Sequence, residues 1–518
     1  MKTSTYPGGI PYIIGNELAE RFSYYGMKAI LMTFMTQHLL MGEGESVELI
    51  HKFGAGVYLF PILGAFLSDF FLGKYKTIIS LSVVYTLGHL VMSLIENKTG
   101  MMVGLGLIAL GSGGIKPCVS AHVGDQFDDS NQNLLDRIFN WFYLAVNLGA
   151  FVSTILTPIL LEKFGPQIAF GIPGALMLLA TLVFWLGNKK YVSIEPDKDQ
   201  ILKDLKNPET LKTIGKLLVV YLFISVFSAL YEQTSSTWII QANHFGMDKT
   251  IEFLSWKWEV LPSQIQSINP VMVLTLVPIF SFLVYPFIER FTTIKSLWKI
   301  ATGMFIAAFS FFLLGIVEQK LLQGETVSIS WHFWAFLIIT IAEVLVNITA
   351  LEISYKQAPV SLKSIIMGLY LLSHSLGNLI TTGVNHAIVS PTEVVGLAGD
   401  KATSLEVKNK TFAVGEKIEI RESIGLKDKN GEDFKGTYLI SGVNKNNIQL
   451  QGITTGKPIA GIQGVLTQGA QIYSAKLSGK AYFDFFGLLM LAAFVLFIPV
   501  AYFFKEKTIV QSANTNLH

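Results

Sequence analysis

A single cysteine, Cys118, stands in 518 residues, so no disulfide can form within the chain. Cys and His nowhere gather at metal-ligand spacing, and no metal or other cofactor is expected. Charge is scarce. Asp, Glu, Lys and Arg make up 15% of the chain, against about 25% in soluble globular proteins. The charges that exist nearly cancel, to +2, so the basic excess of a nucleic-acid binder is missing and no nucleic-acid partner is expected. Neither a nucleophile–base pair nor any other catalytic motif is found, which argues against an enzyme.

Apolar length takes the place of charge. Hydrophobic residues make up 51% of the chain, with 37 Phe and 18 Tyr, a balance that points to a lipid bilayer as solvent. Runs long enough to cross ~30 Å of hydrocarbon, about 20 residues each, number twelve. They lie at roughly 11–40, 50–72, 77–96, 101–121, 138–161, 167–187, 214–241, 267–289, 297–318, 331–355, 361–389 and 480–504. Only helices pair every backbone polar group inside a single span. The expected fold is therefore an all-α membrane protein of twelve transmembrane helices in two six-helix bundles. The first run does not read as a cleavable signal, because Glu17, Glu20 and Arg21 interrupt its apolar core.

Lysine and arginine sort the loops. Lys74, Lys76, Arg290, Lys295, Lys505 and Lys507 fall on one side, with the lysines of the 188–213 linker. Glu43, Glu45 and Glu48 fall on the other. That predicts a multi-pass protein of the cell membrane with both termini in the cytoplasm. The expected division is an N-terminal bundle at 1–187, a cytoplasmic linker at 188–213, helices seven to eleven at 214–390, and helix twelve with its tail at 479–518. Residues 391–478 break the pattern with polar, Gly-rich sequence and period-2 segments such as Lys417-Ile-Glu-Ile-Arg421 and Asn447-Ile-Gln-Leu-Gln451. Asn430-Gly431 reads as a hairpin turn. A small extracytoplasmic β domain is expected there, either a passive spacer or a module that docks a partner.

Charges inside the spans need a reason, because each costs ~2.5–3.5 kcal/mol at a span centre. Glu17, Glu20, Arg21, Tyr24 and Lys28 share one helical face of the first span. The face is either a self-neutralising network that locks helices together or part of a mechanism, and Lys28 lacks a partner within its span. Lys116, Glu232 and Glu343 lie near the middle thirds of spans four, seven and ten. Two cations and two anions on four helices can pair in two ways, as alternating access requires. Burial raises a carboxylate's proton affinity and a nearby cation lowers it, so a movable cation offers a route to proton coupling. His51 is either an interfacial residue or a proton carrier.

Three stretches carry a resemblance. Glu17-Leu-Ala-Glu20-Arg21-Phe22-Ser-Tyr24-Tyr25-Gly26, Gly64-Ala-Phe-Leu-Ser-Asp69-Phe-Phe-Leu-Gly73-Lys-Tyr-Lys-Thr77 and Phe139-Asn-Trp-Phe-Tyr-Leu-Ala-Val-Asn147-Leu-Gly149-Ala are similar to motifs of the proton-dependent oligopeptide transporters, within the major facilitator superfamily. The resemblance covers both bundles but not 391–478, and it is to the peptide-carrier branch. It implies proton-coupled import of di- and tripeptides by alternating access. By the same resemblance Lys116 and Glu343 bind the peptide termini and form the inner gate, and Glu232 opposes the first-span cation as an outer gate. His51, with Glu17, Glu20 and Arg21, serves proton coupling, while Tyr25, Tyr58, Asn147 and Asn269 line the peptide site. Lys28 stands where the family usually has Arg and keeps the charge without the bidentate fork. Tyr370 stands where it has Trp and is expected to reshape a side-chain pocket. A carrier of nitrate or another small anion, or a transporter-like peptide sensor, would use the same fold.

Overall fold

The computed structural model describes residues 6–504 except 128–130, 132–133, 193–197, 254–255, 293–294, 359–361, 399–403, 409 and 429–430. Asn430, Lys505 and Lys507 lie outside these described residues. The first part of the chain forms α1 (Ile10–Thr33), α2 (Glu43–Leu67), α3 (Lys74–Leu94), α4 (Lys98–Gly124), α5 (Leu135–Leu186) and a short α6 (Lys198–Leu205). The second part forms α7 (Pro208–Tyr231), α8 (Thr237–Asn243), α9 (Ile268–Ile279), α10 (Tyr285–Glu289), α11 (Ser296–Leu322), α12 (Ser330–Glu343), α13 (Thr349–Gln357), α14 (Lys363–Ile388) and α15 (Lys480–Phe503).

Ten helical stretches among the described residues are long and apolar enough to cross a membrane. The α1 helix has the length, at 24 residues, but carries Glu17, Glu20, Arg21 and Lys28. The α5 helix is two arms that meet at Gly165, where φ of 78° breaks the helical path just before Pro166. Several spans contain a π-helical turn, including Val344–Ile348 directly after Glu343. Such turns rotate the residues beyond them relative to those before.

Small residues set the approach of the helices. A Cβ at Gly149 would lie 2.7 Å from the Leu18 carbonyl oxygen, so this glycine lets α5 close onto α1. A Cβ at Gly64 would lie 2.0 Å from the Gly114 carbonyl oxygen, which fixes α2 against α4 in the same way. One apolar core runs through the helices, from Ile13 and Met27 to Phe311 and Phe486.

Four short strands flank the helical part at one end. β1 (Met247–Asp248) pairs in parallel with β4 (Val327–Ser328), and β2 (Thr250–Phe253) forms a hairpin with β3 (Trp256–Glu259). The sequence reading did not foresee them, because strands of two to four residues carry too little alternation to register. Between α14 and α15 the chain forms β5 (Val389–Ala398), β6 (Ser404–Val407), β7 (Lys417–Ile420), β8 (Leu426–Lys427), β9 (Gly436–Asn444), β10 (Asn447–Gly452), β11 (Gln463–Gly464) and β12 (Gln471–Ala475). Six of these close an antiparallel barrel in the order β10-β6-β5-β12-β7-β9. Its own core includes Leu405, Ile418, Ile420, Ile448 and Ile472. The first strand starts at Val389, slightly ahead of the boundary expected at 391, because α14 runs into it without a loop. Around the expected hairpin turn, Gly431 takes φ of 83° and its N–H donates to the Asp428 carbonyl at 3.0 Å.

Period-2 alternation decides what the barrel presents. Ile418 and Ile420 point inward and are fully buried, so Lys417 and Glu419 must point outward. That outer face rests on the helices.

Candidate functional site

The charged face of α1 points into the protein. Arg21 Nε lies 2.9 Å from Glu17 Oε1 and 2.6 Å from Glu20 Oε2. The Ser112 hydroxyl of α4 donates to Glu20 Oε1 at 3.3 Å. All three charged side chains are buried. Two carboxylates share one guanidinium, so with both ionised the cluster would hold an excess negative charge away from water. A buried excess of that sign is a place where a proton can be taken up.

Two turns further, Lys28 reaches across to the second half of the chain. Its Nζ lies 2.8 Å from Glu232 Oε2, just past the end of α7. Lys116 of α4 is paired differently. Among the described residues it has no carboxylate within 4 Å, and its Nζ sits 4.7 Å and 4.5 Å from the ring centroids of Tyr24 and Tyr58. The aromatic faces offset part of the cost of its charge but leave its N–H donors free for a ligand.

His51 is fully buried where α2 meets α14, so it is not an exposed interfacial residue. Its Nδ1 lies 2.7 Å from Asn378 Oδ1, which only accepts, so Nδ1 carries a proton. Its Nε2 lies 3.0 Å from the Ser236 hydroxyl, which can either donate or accept. The site therefore accommodates both the neutral ring and the imidazolium by rotation of one hydroxyl.

Glu343 closes the set. Asn269 Nδ2 donates to Glu343 Oε2 at 2.7 Å and lies 3.1 Å from Thr340 Oγ1. The Tyr231 hydroxyl donates to Asn269 Oδ1 at 3.4 Å. Tyr231, Asn269 and Glu343 border a cavity of about 210 Å³ between the halves. Tyr25 and Asn147 line it from the first half, Asn269 and Glu343 from the second. Asn147 turns its amide N–H back to the Tyr143 carbonyl at 2.9 Å, which leaves its amide oxygen available to the cavity.

Not every residue expected at the site borders this cavity. Lys116, Tyr58 and Tyr370 are not on its wall, and Tyr370 is buried with its hydroxyl 3.3 Å from His374 Nε2. Tyr58 stacks on His374 with ring centroids 5.0 Å apart, which makes a chain of rings from one half to the other. Lys116 and Glu343 do not pair with each other within 4 Å.

The sequence did not single out Tyr143, Tyr231 and Asn347 on the cavity wall, nor His374 and Asn378 on α14. The signal existed for α14. Tyr370, His374, Asn378, Thr381 and Asn385 recur at steps of four or three, a polar stripe in an apolar span that mirrors the charged one on α1.

Cross-half contacts gather toward the α1–α2 end. Besides Lys28–Glu232 and His51, Thr33 Oγ1 lies 2.6 Å from Ser263 Oγ, Gln37 donates to Asn243 Oδ1 at 3.2 Å, and Gln266 donates to the Ala29 carbonyl at 3.2 Å. Two helical halves joined by polar contacts at one end, with a polar cavity between them, define a membrane transporter.

The chain belongs to the POT family, whose sequence profile matches residues 75–208 and 199–403. It is 39% identical to solute carrier family 15 member 2 of Rattus norvegicus over 368 residues, 61% of this chain and 50% of that protein. It is 36% identical to peptide transporter family 1 of Drosophila melanogaster, over 62% of this chain and 48% of that one. The chain thus spans about half the length of the curated relatives it matches. Among solved structures it resembles the POT family transporter PepTSo, with a TM-score of 0.73 and 28% identity over 96% of this chain and 98% of that one. A proton dependent oligopeptide (POT) family transporter is 33% identical with a TM-score of 0.63, over 73% of this chain and 92% of that one. The fold is that of the POT transporters, a multi-pass membrane architecture.

Proposed function

We propose that this protein is a proton-coupled symporter that imports di- and tripeptides across the cell membrane by alternating access. One observation carries the reading: a cavity between the halves holds a half-buried carboxylate, Glu343, oriented by Asn269 and faced by Asn147 and Tyr25. A peptide zwitterion is complementary to such a site. Glu343 takes the ammonium, and Lys116, which has no carboxylate of its own here, takes the peptide carboxylate. Asn147 and Asn269 pair with the peptide amide, while Tyr25, with Tyr143 and Tyr231 beside it, provides aromatic walls that tolerate varied side chains. The relatives named as peptide transporters support the same substrate class.

The twelve-span count follows when α1 joins the ten apolar stretches and α5, one of those ten, is counted as its two arms. In this topology the termini and the 188–213 linker are cytoplasmic, and the 391–478 barrel is extracytoplasmic. The α1–α2 end is then the outer end, and the contacts gathered there make this an inward-facing state. Lys28–Glu232 acts as the outer gate. When the pair parts, Glu232 is left as an uncompensated buried charge, and protonation relieves it. Protons ride on Glu232, His51 and the Glu17–Glu20–Arg21 cluster.

The test is dialanine uptake into liposomes under an imposed inward proton gradient. The wild type concentrates dialanine and Glu343→Gln does not. Transport by Glu343→Gln at the wild-type rate would sink the terminal-reading site.

A further inference from the structure

The barrel is joined to the two halves in unlike ways. To the second half it is joined covalently and rigidly. α14 runs straight into β5, residues 476–479 connect β12 to α15, and the Lys476 N–H donates to the Ile388 carbonyl at 2.8 Å across the two connections. The Phe245 N–H, beyond α8, also donates to the Ile453 carbonyl of the barrel at 3.0 Å. To the first half it is joined only by contacts that can part. The Glu43 N–H donates to Thr437 Oγ1 at 2.8 Å, and the Gly44 N–H donates to Glu419 Oε1 at 2.5 Å.

Lys417 stands where the three parts meet. Its Nζ lies 3.2 Å from Glu318 Oε1 on α11 and 3.5 Å from Glu43 Oε2 on α2. Burial works against its charge, yet Glu318 and Glu43 outweigh it and hold the ammonium above its ordinary range. Arg421 adds a longer contact, 3.9 Å from Glu48 Oε1 of α2. A cavity of about 110 Å³ borders Lys417, so the junction is a polar contact with room beside it and not a packed apolar core. The Gly42-Glu43-Gly44 turn suits this docking, because a Cβ at either glycine would lie 2.7 Å from a Glu419 carboxylate oxygen. Without Lys417, Glu43 and Glu318 would face one another across the two halves as like charges.

We propose that Lys417 is a gating residue of the transport cycle, a latch that binds the first half to the second through the barrel and must release Glu43 each time the outer end opens. The proposal rests on the alternating-access reading above. It assigns the barrel a part in the cycle in place of a spacer's. Thermodynamically the latch favours the outer-closed state by whatever its contacts contribute there and lose on opening.

Two experiments test it. A Gly42 Cβ would lie 3.1 Å from Glu419 Cβ, close to disulfide range, so Gly42→Cys with Glu419→Cys can be cross-linked in the full-length protein. Cys118 is buried and does not compete. Oxidation is expected to reduce dialanine uptake by about tenfold or more, and reductant to restore it. Equal uptake before and after reduction, with the cross-link verified, overturns the latch. The second experiment needs no transport. Thr33→Cys, at an outer cross-half contact, is labelled with a membrane-impermeant maleimide in the presence of Lys417 and of Lys417→Gln. Labelling is expected to rise at least about threefold in Lys417→Gln, and unchanged labelling overturns the proposal. If the wild type takes up no peptide, the symporter reading fails and the labelling result alone decides the latch.

Discussion

Lys28 of α1 and Glu232 at the end of α7 lie 2.8 Å apart across the boundary between the halves, and both are largely shielded from water. Breaking a buried pair by removing one partner typically costs ~3–5 kcal/mol, because the other charge is stranded. Lys28→Gln should therefore lower thermal stability, and Lys28→Gln with Glu232→Gln should recover part of the loss. Proton-driven dialanine uptake should fall by about tenfold or more in Lys28→Gln, while Lys28→Arg, which keeps the charge and adds a fork, should stay within about threefold of wild type. A melting series and initial uptake rates check both. An additive double variant would mean that the pair carries no coupling.

Glu343 is held toward the cavity by Asn269, so it should read the peptide ammonium. Blocking that ammonium leaves the carboxylate without its partner. The wild type should discriminate against N-acetyl-dialanine relative to dialanine by roughly tenfold to a hundredfold in competition for uptake. Glu343→Gln, measured by binding, should lose most of that discrimination. Equal selectivity in the two proteins would remove Glu343 from terminal recognition.

His51 is placed between Asn378 and Ser236, the latter able to serve either protonation state. If the ring carries a coupled proton, His51→Gln should flatten the rise of uptake as pH falls from about 8 to 6. A packing role alone would lower stability by ~1–3 kcal/mol and leave the shape of the pH profile intact. The profile, normalised to its maximum, separates the two.

Gly149 makes its own prediction. Because a Cβ there would meet the Leu18 carbonyl at 2.7 Å, Gly149→Val must push α5 away from α1. The expected loss is about 1–3 kcal/mol of stability, visible as a lower melting temperature in detergent, with Gly149→Ala less affected. Unchanged melting would show that the two helices separate at no cost.

Much of this architecture was written in one dimension. Spans are visible because hydrocarbon demands about 20 apolar residues each, and charges within them are conspicuous for the same reason. The face from Glu17 to Lys28 follows from helical periodicity alone. So does the alternation in β7 that turns Lys417 and Glu419 outward. What periodicity gives is the direction of a side chain on its own element, never the element it meets.

The partners were decided by folding. Lys28 could have paired with either Glu232 or Glu343, and Lys116 likewise, since all four are charges set well inside their expected spans. Tertiary structure gave Lys28 to Glu232, left Lys116 against Tyr24 and Tyr58, and set Glu343 beside Asn269. It also drew His51 inward to Asn378 and laid the barrel across both halves. The physical reason is range. Hydropathy and periodicity act over one or two turns of one helix, whereas an ion pair depends on a distance between helices that are hundreds of residues apart in sequence. In this protein the chain by itself determined that buried charge would need partners, and packing alone chose them.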